Sequence, residues 1–258
     1  GCYRKQLAFD CAAGQALRLC VGGLGLAAKF WFDGQLIGSS ELAYSTFNID
    51  FTASRSGSAH ELIIAVDNRF KPQATPIFAP FFDFYGYGGI YRSIELQALP
   101  AAFIERAQVT TLDAAAGKIR LSIELGGAVP TTFNGKIAFD CGPAQALSLP
   151  VQDGRAVTEL SVPNARLWSP DSPHLHTVTI SSAEDCITER FGLRTLVVSG
   201  ERILLNDKPL TLKGVNRHES HPEFGPVQHP HLVMDDLHLL KNMGANFVRC
   251  VHYPHDQM

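Results

Sequence analysis

The chain has 258 residues, of which 45% are hydrophobic and 18% charged, and its formal net charge is −3. This length is enough for two or three domains with a sizeable core. The weak negative charge and the lack of a basic run argue against nucleic acid as a partner. No apolar run reaches the roughly 18–20 residues of a membrane-spanning helix, so we expect no membrane partner.

Residues 1–99 show short strands separated by Gly, Asn and Asp turns. The strongest hairpin signal is Asp33-Gly34, which lies between two apolar runs. Regularly spaced strands with turn signals indicate an antiparallel sandwich or jelly roll. The predicted strands are Gln15–Val21, Ala27–Phe32, Leu36–Ile37, Thr46–Phe51, Glu61–Val66 and Tyr91–Gln97.

An aromatic-rich, non-periodic segment lies before the last of these strands, at 72–87. Aromatic rings stack on the apolar faces of sugars, and a carboxylate such as that of Asp83 accepts hydrogen bonds from hydroxyls. The alternative is a packing loop between domains, which we favour for most of its aromatic residues. The glycines at 86, 88 and 89 indicate tight turns rather than a phosphate-binding loop, because no strand–helix pair frames them.

Residues 100–196 contain a second series of strands. About seven short alternating strands in about a hundred residues are typical of an immunoglobulin-like sandwich. We interpret His174 and His176 as packing or surface residues, and nothing in this region suggests chemistry. The predicted strands are Glu105–Leu112, Lys118–Leu125, Gly135–Asp140, Ala156–Val162 and His176–Ser181.

Residues 197–258 begin with a hairpin turning on Asn206-Asp207 and continue as strand, loop, helix and strand. Apolar residues recur at helical spacing from Pro230 to Met243, and Gly244 follows where a helix would stop. This order makes one βαβ unit of a parallel sheet, whose functional residues gather at the carboxyl ends of the strands. Two strands and one helix of such a fold should leave apolar surface exposed.

Two ordered motifs carry a family resemblance: GVNRHE at 214–219, and GANFVR at 244–249 followed by HYP at 252–254. LWSP at 167–170 and DFYGYGGIYR at 83–92 accompany them. The chain thereby resembles glycoside hydrolase family 2, the β-galactosidases and β-glucuronidases. The resemblance implies a mostly β protein with three parts: a jelly-roll, sugar-binding-like domain at 1–99 that lacks its first strands, an immunoglobulin-like β-sandwich at 100–196, and the first βαβ unit of a (β/α)8 TIM barrel at 197–258.

The resemblance also implies an activity, that of a retaining exo-β-glycosidase acting on terminal β-glucuronosyl or β-galactosyl residues. Its partner would be a β-linked oligosaccharide or glycoside, and the parent enzyme would be a homo-oligomer. In the family the acid/base and nucleophile glutamates follow later barrel strands, beyond residue 258. We therefore expect no catalytic residue within this chain, and no activity from the chain alone.

What the resemblance places within the chain is a set of supporting residues. Asp83, His218 and His252 would bind substrate, and Arg249 would hold the nucleophile ionised. Asn216 and Glu219 would structure the loop that follows the first barrel strand.

Two other classes of function compete with this interpretation. Seven of the ten histidines lie between 218 and 255, but His218 and His221 lack the spacing of a helical zinc motif, and we predict no metal site. A non-catalytic carbohydrate-binding module is the second alternative, although it would have no use for Arg249 and His252 on a barrel strand. No cofactor is expected to be required; a divalent cation or sodium would suit the family, but its ligands are not located in this sequence.

The compartment stays open. Cytoplasm is the default, but the chain does not begin with Met, so a periplasmic or secreted enzyme with a missing signal peptide fits as well. The six cysteines form no C-x-x-C pair, and we interpret them as buried free thiols rather than disulfides.

Overall fold

The computed structural model describes residues 1–69 and 86–256. Within those ranges the chain forms nineteen strands and a single helix, which confirms the predicted mostly β fold. The chain divides into two units, one made of Gly1–Leu99 with Leu212–Met258 and the other of Pro100–Thr211. The division into three domains, at 99/100 and 196/197, stays a prediction.

The first unit contains the predicted jelly-roll sandwich. Its strands are β1 (Cys2–Cys11), β2 (Ala16–Val21), β3 (Ala27–Phe32), β4 (Gln35–Ser40), β5 (Phe47–Thr52), β6 (Gly57–Asp67) and β7 (Ile94–Ala98). One sheet has the order β1–β6–β3–β4 and the other β5–β2–β7. Alternate residues of facing strands, including Leu19, Phe30, Phe32 and Ile64, are buried between the sheets. This period of two is that of strands with one face in a core.

The predicted hairpin joins β3 to β4. Asp33 and Gly34 have φ angles of 49° and 79°. Positive φ at both positions defines the two-residue type I′ turn, whose twist matches that of the flanking strands. The hairpin prediction is confirmed.

The carboxylate of Asp33 also ties this turn to β6. It accepts hydrogen bonds from His60 Nδ1 at 2.7 Å, from the Glu61 amide at 2.8 Å and from Arg55 Nη2 at 2.9 Å. Only 4% of the Asp33 side chain is exposed. Burial by itself would raise the pKa of Asp33, but the bonds from His60, Glu61 and Arg55 outweigh it and hold the pKa below its usual value.

We expect Asp33→Asn to destabilise the first unit by about 1–3 kcal/mol at neutral pH, because it weakens the hydrogen bonds that this buried carboxylate accepts from His60, Glu61 and Arg55. Since folding lowers the pKa of Asp33, its stabilising contribution is present above the usual pKa of 3.8 and is lost as pH falls through the lower pKa of the folded state. Urea unfolding followed by Trp31 fluorescence in a Trp168→Phe background would measure this unit. A difference in unfolding free energy that persists unchanged in strong acid would contradict this assignment.

The second unit contains the predicted immunoglobulin-like sandwich of seven strands. They are β8 (Ala102–Asp113), β9 (Lys118–Gly127), β10 (Thr132–Phe139), β11 (Gln145–Gln152), β12 (Arg155–Ser161), β13 (His176–Ser181) and β14 (Cys186–Phe191). Their order is β14–β13–β10–β11–β12–β9–β8, so β11 connects the two layers. The core between the layers includes Leu121, Ile123, Ile137, Val178 and Ile180.

The buried histidine of this unit has a packing role, as the sequence indicates. His176 is 1% exposed, and its Nδ1 lies 2.6 Å from Asp140 Oδ2. The Arg166 amide donates to its Nε2 at 3.0 Å, so the ring proton lies on Nδ1. Every polar atom of this ring is thereby used within the sandwich.

Three short strands complete the second unit: β15 (Leu196–Ser199), β16 (Arg202–Leu205) and β17 (Lys208–Leu210). They form one antiparallel sheet in that order. The turn between β16 and β17 falls on Asn206 and Asp207, both with positive φ. This confirms the predicted hairpin.

The predicted βαβ unit consists of β18 (Gly214–Arg217), α1 (Pro230–Asn242) and β19 (Phe247–Cys250), and its two strands are parallel. The helix ends in a Schellman motif, in which the Gly244 amide donates to Lys241 O and the Ala245 amide to Leu240 O. Gly244 has a φ of 84°, which explains the glycine there. Among the described residues, no helix has the length and apolar character needed to cross a membrane.

Apolar side chains of this unit are exposed, as predicted. Leu239 is 60% exposed on the helix, Met243 is 70% exposed just after it, and Phe247 is 42% exposed on β19. A parallel sheet is normally covered on both faces, and two strands with one helix cannot provide that cover.

The cysteine interpretation needs a correction. No disulfide joins any of the six, all of which lie in the described part of the chain. However, only Cys11 is buried, whereas Cys2, Cys141, Cys186 and Cys250 are exposed. Cys2, Cys186 and Cys250 lie at the ends of strands, and Cys141 lies in the turn after β10. Apolar composition alone does not indicate such positions.

Candidate functional site

The candidate site lies where β18 and β19 end. The strands are parallel and in register, so Asn216 lies beside Arg249. Arg249 Nη1 donates to Asn216 Oδ1 at 3.4 Å. Because the carboxyl ends of parallel strands meet at one edge, the residues that follow each strand also come together there.

Two histidines follow the strands at this edge. The rings of His218 and His252 have centroids 5.3 Å apart and are nearly perpendicular, at 76°. Val251, before His252, is fully buried, and its amide donates to Arg217 O at 3.1 Å. The peptide bond between Val251 and His252 is cis. The imidazoles of His218 and His252 lie next to each other, and their ring nitrogens can form hydrogen bonds.

Arg217 shows which way β18 faces. Its Nε donates to Asp236 Oδ2 of α1 at 3.0 Å, and its Nη2 donates to Gln228 Oε1 at 3.0 Å. Since side chains alternate along a strand, Asn216 lies on the face away from the helix. Arg249 shares that face through its bond to Asn216. In a βαβ unit of a barrel this is the face that looks inward.

Glu219 occupies a different position from the histidines. Its carboxylate is buried and forms an ion pair with Arg92, with Oε2 2.7 Å from Nη2, and the two side chains are 4% and 1% exposed. Its second oxygen accepts a hydrogen bond from the Asp256 amide at 2.7 Å. Both carboxylate oxygens are therefore engaged by the protein.

Tyrosines surround this ion pair. The ring of Tyr44 stacks on Tyr253 with centroids 4.6 Å apart, and the Glu219 amide donates to the Tyr253 hydroxyl at 3.1 Å. Burial, with the nearby Tyr253, raises the pKa of Tyr44 to about 12. Burial also raises the pKa of Tyr253. Both hydroxyls stay neutral at physiological pH and act as hydrogen-bonding groups.

The structure brings five of the six residues singled out by the sequence into one region. Asn216 and Arg249 meet on the strands, His218 and His252 meet beyond them, and Glu219 is buried beside them. Asp83 lies outside the described residues. Among those described, no group of three or more His, Cys, Asp and Glu side chains is placed to hold a metal ion.

Sequence reasoning missed Arg92 and Tyr44. Arg92 ends the DFYGYGGIYR stretch, so the motif contains it, but nothing in the pattern marks its side chain as buried. Tyr44 lies in a segment without periodicity. Each becomes recognisable only through its contact with a residue far away in the chain, Arg92 with Glu219 and Tyr44 with Tyr253.

Two family models match the chain in succession. Residues 102–194 match the model described as glycosyl hydrolases family 2, and residues 196–258 match the model described as glycosyl hydrolases family 2, TIM barrel domain. The chain belongs to glycoside hydrolase family 2. Membership confirms the resemblance drawn from the two motifs and the fold it implied.

Known proteins of family 2 are similar along nearly the whole chain. A β-galactosidase of Thermoanaerobacter pseudethanolicus is 27% identical over 271 residues, covering 98% of this chain and 36% of that protein. The structure of a GH2 β-galacturonidase from Eisenbergiella tayi bound to galacturonate is 30% identical with a TM-score of 0.82, covering 99% and 46%. A β-glucuronidase of Bifidobacterium dentium, complexed with coumarin-3-O-glucuronide, is 26% identical with a TM-score of 0.86, covering 99% and 49%.

The chain spans about a third of the length of the curated relatives it matches. It spans about half the length of the similar solved chains. The activities of those family 2 proteins therefore belong to chains with large parts that have no counterpart in these 258 residues.

Proposed function

We propose that this chain is part of a retaining exo-β-glycosidase that hydrolyses terminal β-glucuronosyl or β-galactosyl residues. The observation that carries this proposal is the shared edge of β18 and β19. There, the imidazoles of His218 and His252 lie 5.3 Å apart, and Arg249 lies on β19. These groups can bind the hydroxyls of a sugar and stabilise a neighbouring carboxylate.

In this proposal the residues have distinct roles. His218 and His252 form hydrogen bonds with hydroxyls of the non-reducing sugar, and the family resemblance assigns Asp83 to the same sugar. Arg249 lies next to the nucleophile and keeps it ionised. Asn216 positions the Arg249 guanidinium through their hydrogen bond. Glu219 structures the loop and does not touch sugar.

The reaction requires two carboxyl groups about 5–5.5 Å apart, one as nucleophile and one as acid/base. Glu219 is unsuited to either role, because its side chain is 4% exposed and is ion-paired with Arg92. We therefore propose that the catalytic pair belongs to a part of the protein beyond these 258 residues.

A uronide is the substrate we favour. The loop at 83–89 resembles that of glucuronidases, and two of the similar solved structures are a galacturonidase bound to galacturonate and a glucuronidase with a glucuronide. A β-galactosidase is also among the relatives, so a galactoside is the competing substrate. A panel of 4-nitrophenyl β-glucuronide, β-galacturonide and β-galactoside with the full-length enzyme would distinguish them.

The stereochemistry of the product tests the mechanism. Retention requires that the first sugar released is the β-anomer, which proton NMR detects before mutarotation. Release of the α-anomer first would contradict a retaining mechanism. Binding of the same sugars without any turnover by the full-length protein would instead support a non-catalytic carbohydrate-binding module.

We further propose that the enzyme needs no cofactor and is a homo-oligomer, as the family resemblance implies. Dialysis against EDTA should leave kcat unchanged. Light scattering on the full-length enzyme should give a mass above that of one chain.

A further inference from the structure

Arg92 binds four acceptors from separate parts of the chain. Its Nη2 donates to Glu219 Oε2 and to Pro254 O, each at 2.7 Å. Its Nη1 donates to Tyr44 O at 2.8 Å and to Gly22 O at 3.1 Å. One buried guanidinium thereby connects two jelly-roll loops with both loops that follow β18 and β19.

The partner carboxylate completes this arrangement from the other side. Glu219 accepts from Arg92 with one oxygen and from the Asp256 amide with the other. The Tyr253 hydroxyl accepts from the Glu219 amide at 3.1 Å. Three polar contacts therefore fix residue 219 relative to residues 253–256. They are the Arg92 bridge from Glu219 to Pro254, the bond from the Asp256 amide and the bond to the Tyr253 hydroxyl.

The two site histidines each precede one of these fixed residues. His218 precedes Glu219, and His252 precedes Tyr253. The His218 ring also lies 6.0 Å from the Tyr253 ring. Any change in the distance between Glu219 and Tyr253 must therefore move one imidazole relative to the other.

The chemistry of the Arg92–Glu219 pair indicates that it contributes mainly by fixing the positions of the loops and less by stabilising the fold. A buried ion pair is often no more stabilising than apolar side chains of the same volume. A planar guanidinium, however, directs its N–H groups in fixed directions, which the ammonium of lysine cannot do. The four acceptors of Arg92 lie around its two terminal nitrogens, each of which donates to two of them.

We propose that Arg92 and Glu219 are positioning residues of the glycosidase, which set the spacing of His218 and His252. This inference rests on the proposed function and deepens it. In this proposal the jelly roll contributes to the sugar site, because Arg92 comes from the jelly-roll region and acts through the loops that carry the histidines.

The spacing can be tested in the 258-residue chain without any activity. In protein with carbon-13 at histidine Cε1, Arg92→Lys and Glu219→Gln should shift the His218 and His252 resonances and weaken the cross-relaxation between their rings. Asp33→Asn is the matched control, because it weakens the hydrogen bonds of a buried carboxylate of the same unit away from these loops. Unchanged His218 and His252 resonances in both Arg92→Lys and Glu219→Gln would overturn the proposal.

Kinetics of the full-length enzyme supply the second readout. At a temperature where every variant is folded, Arg92→Lys and Glu219→Gln should lower kcat/KM by about tenfold to a hundredfold, the effect of a displacement near 1 Å. Asp33→Asn should lower the melting temperature and leave kcat/KM unchanged. Equal kcat/KM losses in all three variants would overturn the positioning role. If the wild-type enzyme hydrolyses no glycoside, the proposed function fails, and the NMR spectra alone decide the positioning claim.

Discussion

Replacing Arg249 or His252 by alanine in the full-length enzyme is expected to lower kcat/KM by about 10²–10³-fold, as the loss of a preorganised donor does in other active sites. Arg249 lies on β19 beside Asn216, where a guanidinium would keep the nucleophile ionised. His252 shares its surface with His218, where it would bind a sugar hydroxyl. Steady-state kinetics with an aryl β-glycoside measure both effects.

His229→Ala is the matched control for this prediction. His229 is also a histidine of the βαβ unit, but it precedes α1 and its ring contacts Phe224 and His231. Its replacement should change kcat/KM little. Small and equal effects of all three substitutions would contradict the assignment of the site to the edge of β18 and β19.

The 258-residue chain alone is expected to hydrolyse aryl β-glycosides no faster than buffer does. Enzymes accelerate such reactions by about 10⁶-fold or more, and retaining hydrolysis obtains its acceleration through a pair of carboxyl groups. The only carboxylate of the GVNRHE motif is Glu219, which is buried against Arg92. It can neither reach an anomeric carbon nor exchange a proton with a leaving group there.

If the purified chain does turn over an aryl β-glycoside, two variants should be measured in the same assay. Glu219→Gln removes the buried carboxylate, and Glu223→Gln removes an exposed one from the same loop. Turnover that is abolished by Glu219→Gln and retained by Glu223→Gln would show Glu219 to be catalytic and would contradict its structural role. Turnover retained by both variants would contradict the expected inactivity of the chain and would show that the activity does not depend on Glu219.

The parts of the fold that the sequence predicts are those with local causes. Asp33-Gly34 requires only its own φ angles and the two flanking strands, and the βαβ unit requires only a periodic helix that ends at Gly244. Strands β11 and β14 are harder to predict. Pro150 in β11 argues against a strand, yet it pairs with Thr132 at the very start of β10. In β14 the residues alternate between half-buried and exposed, which gives a weak signal.

The residues of the candidate site also differ in whether local sequence predicts their position. The sequence places Asn216 and Arg249 at one edge, because they come at the carboxyl ends of two parallel strands of one short unit. Their pairing side by side is seen only in the structure. Arg92 and Glu219 are 127 residues apart, and no periodicity or turn signal connects them. Their contact depends on the packing of the jelly roll against the loops of the βαβ unit. A single sequence carries no local record of such packing.

The most direct test of the central claim is to sequence the coding DNA beyond the codon for residue 258. If the chain is part of a working family 2 glycosidase, the reading frame should continue through the rest of a barrel. An Asn-Glu pair should follow about the fourth strand, and a second Glu should follow the seventh. A reading frame that ends within a few codons, or that continues without these two glutamates, would contradict the glycosidase proposal and favour a carbohydrate-binding module.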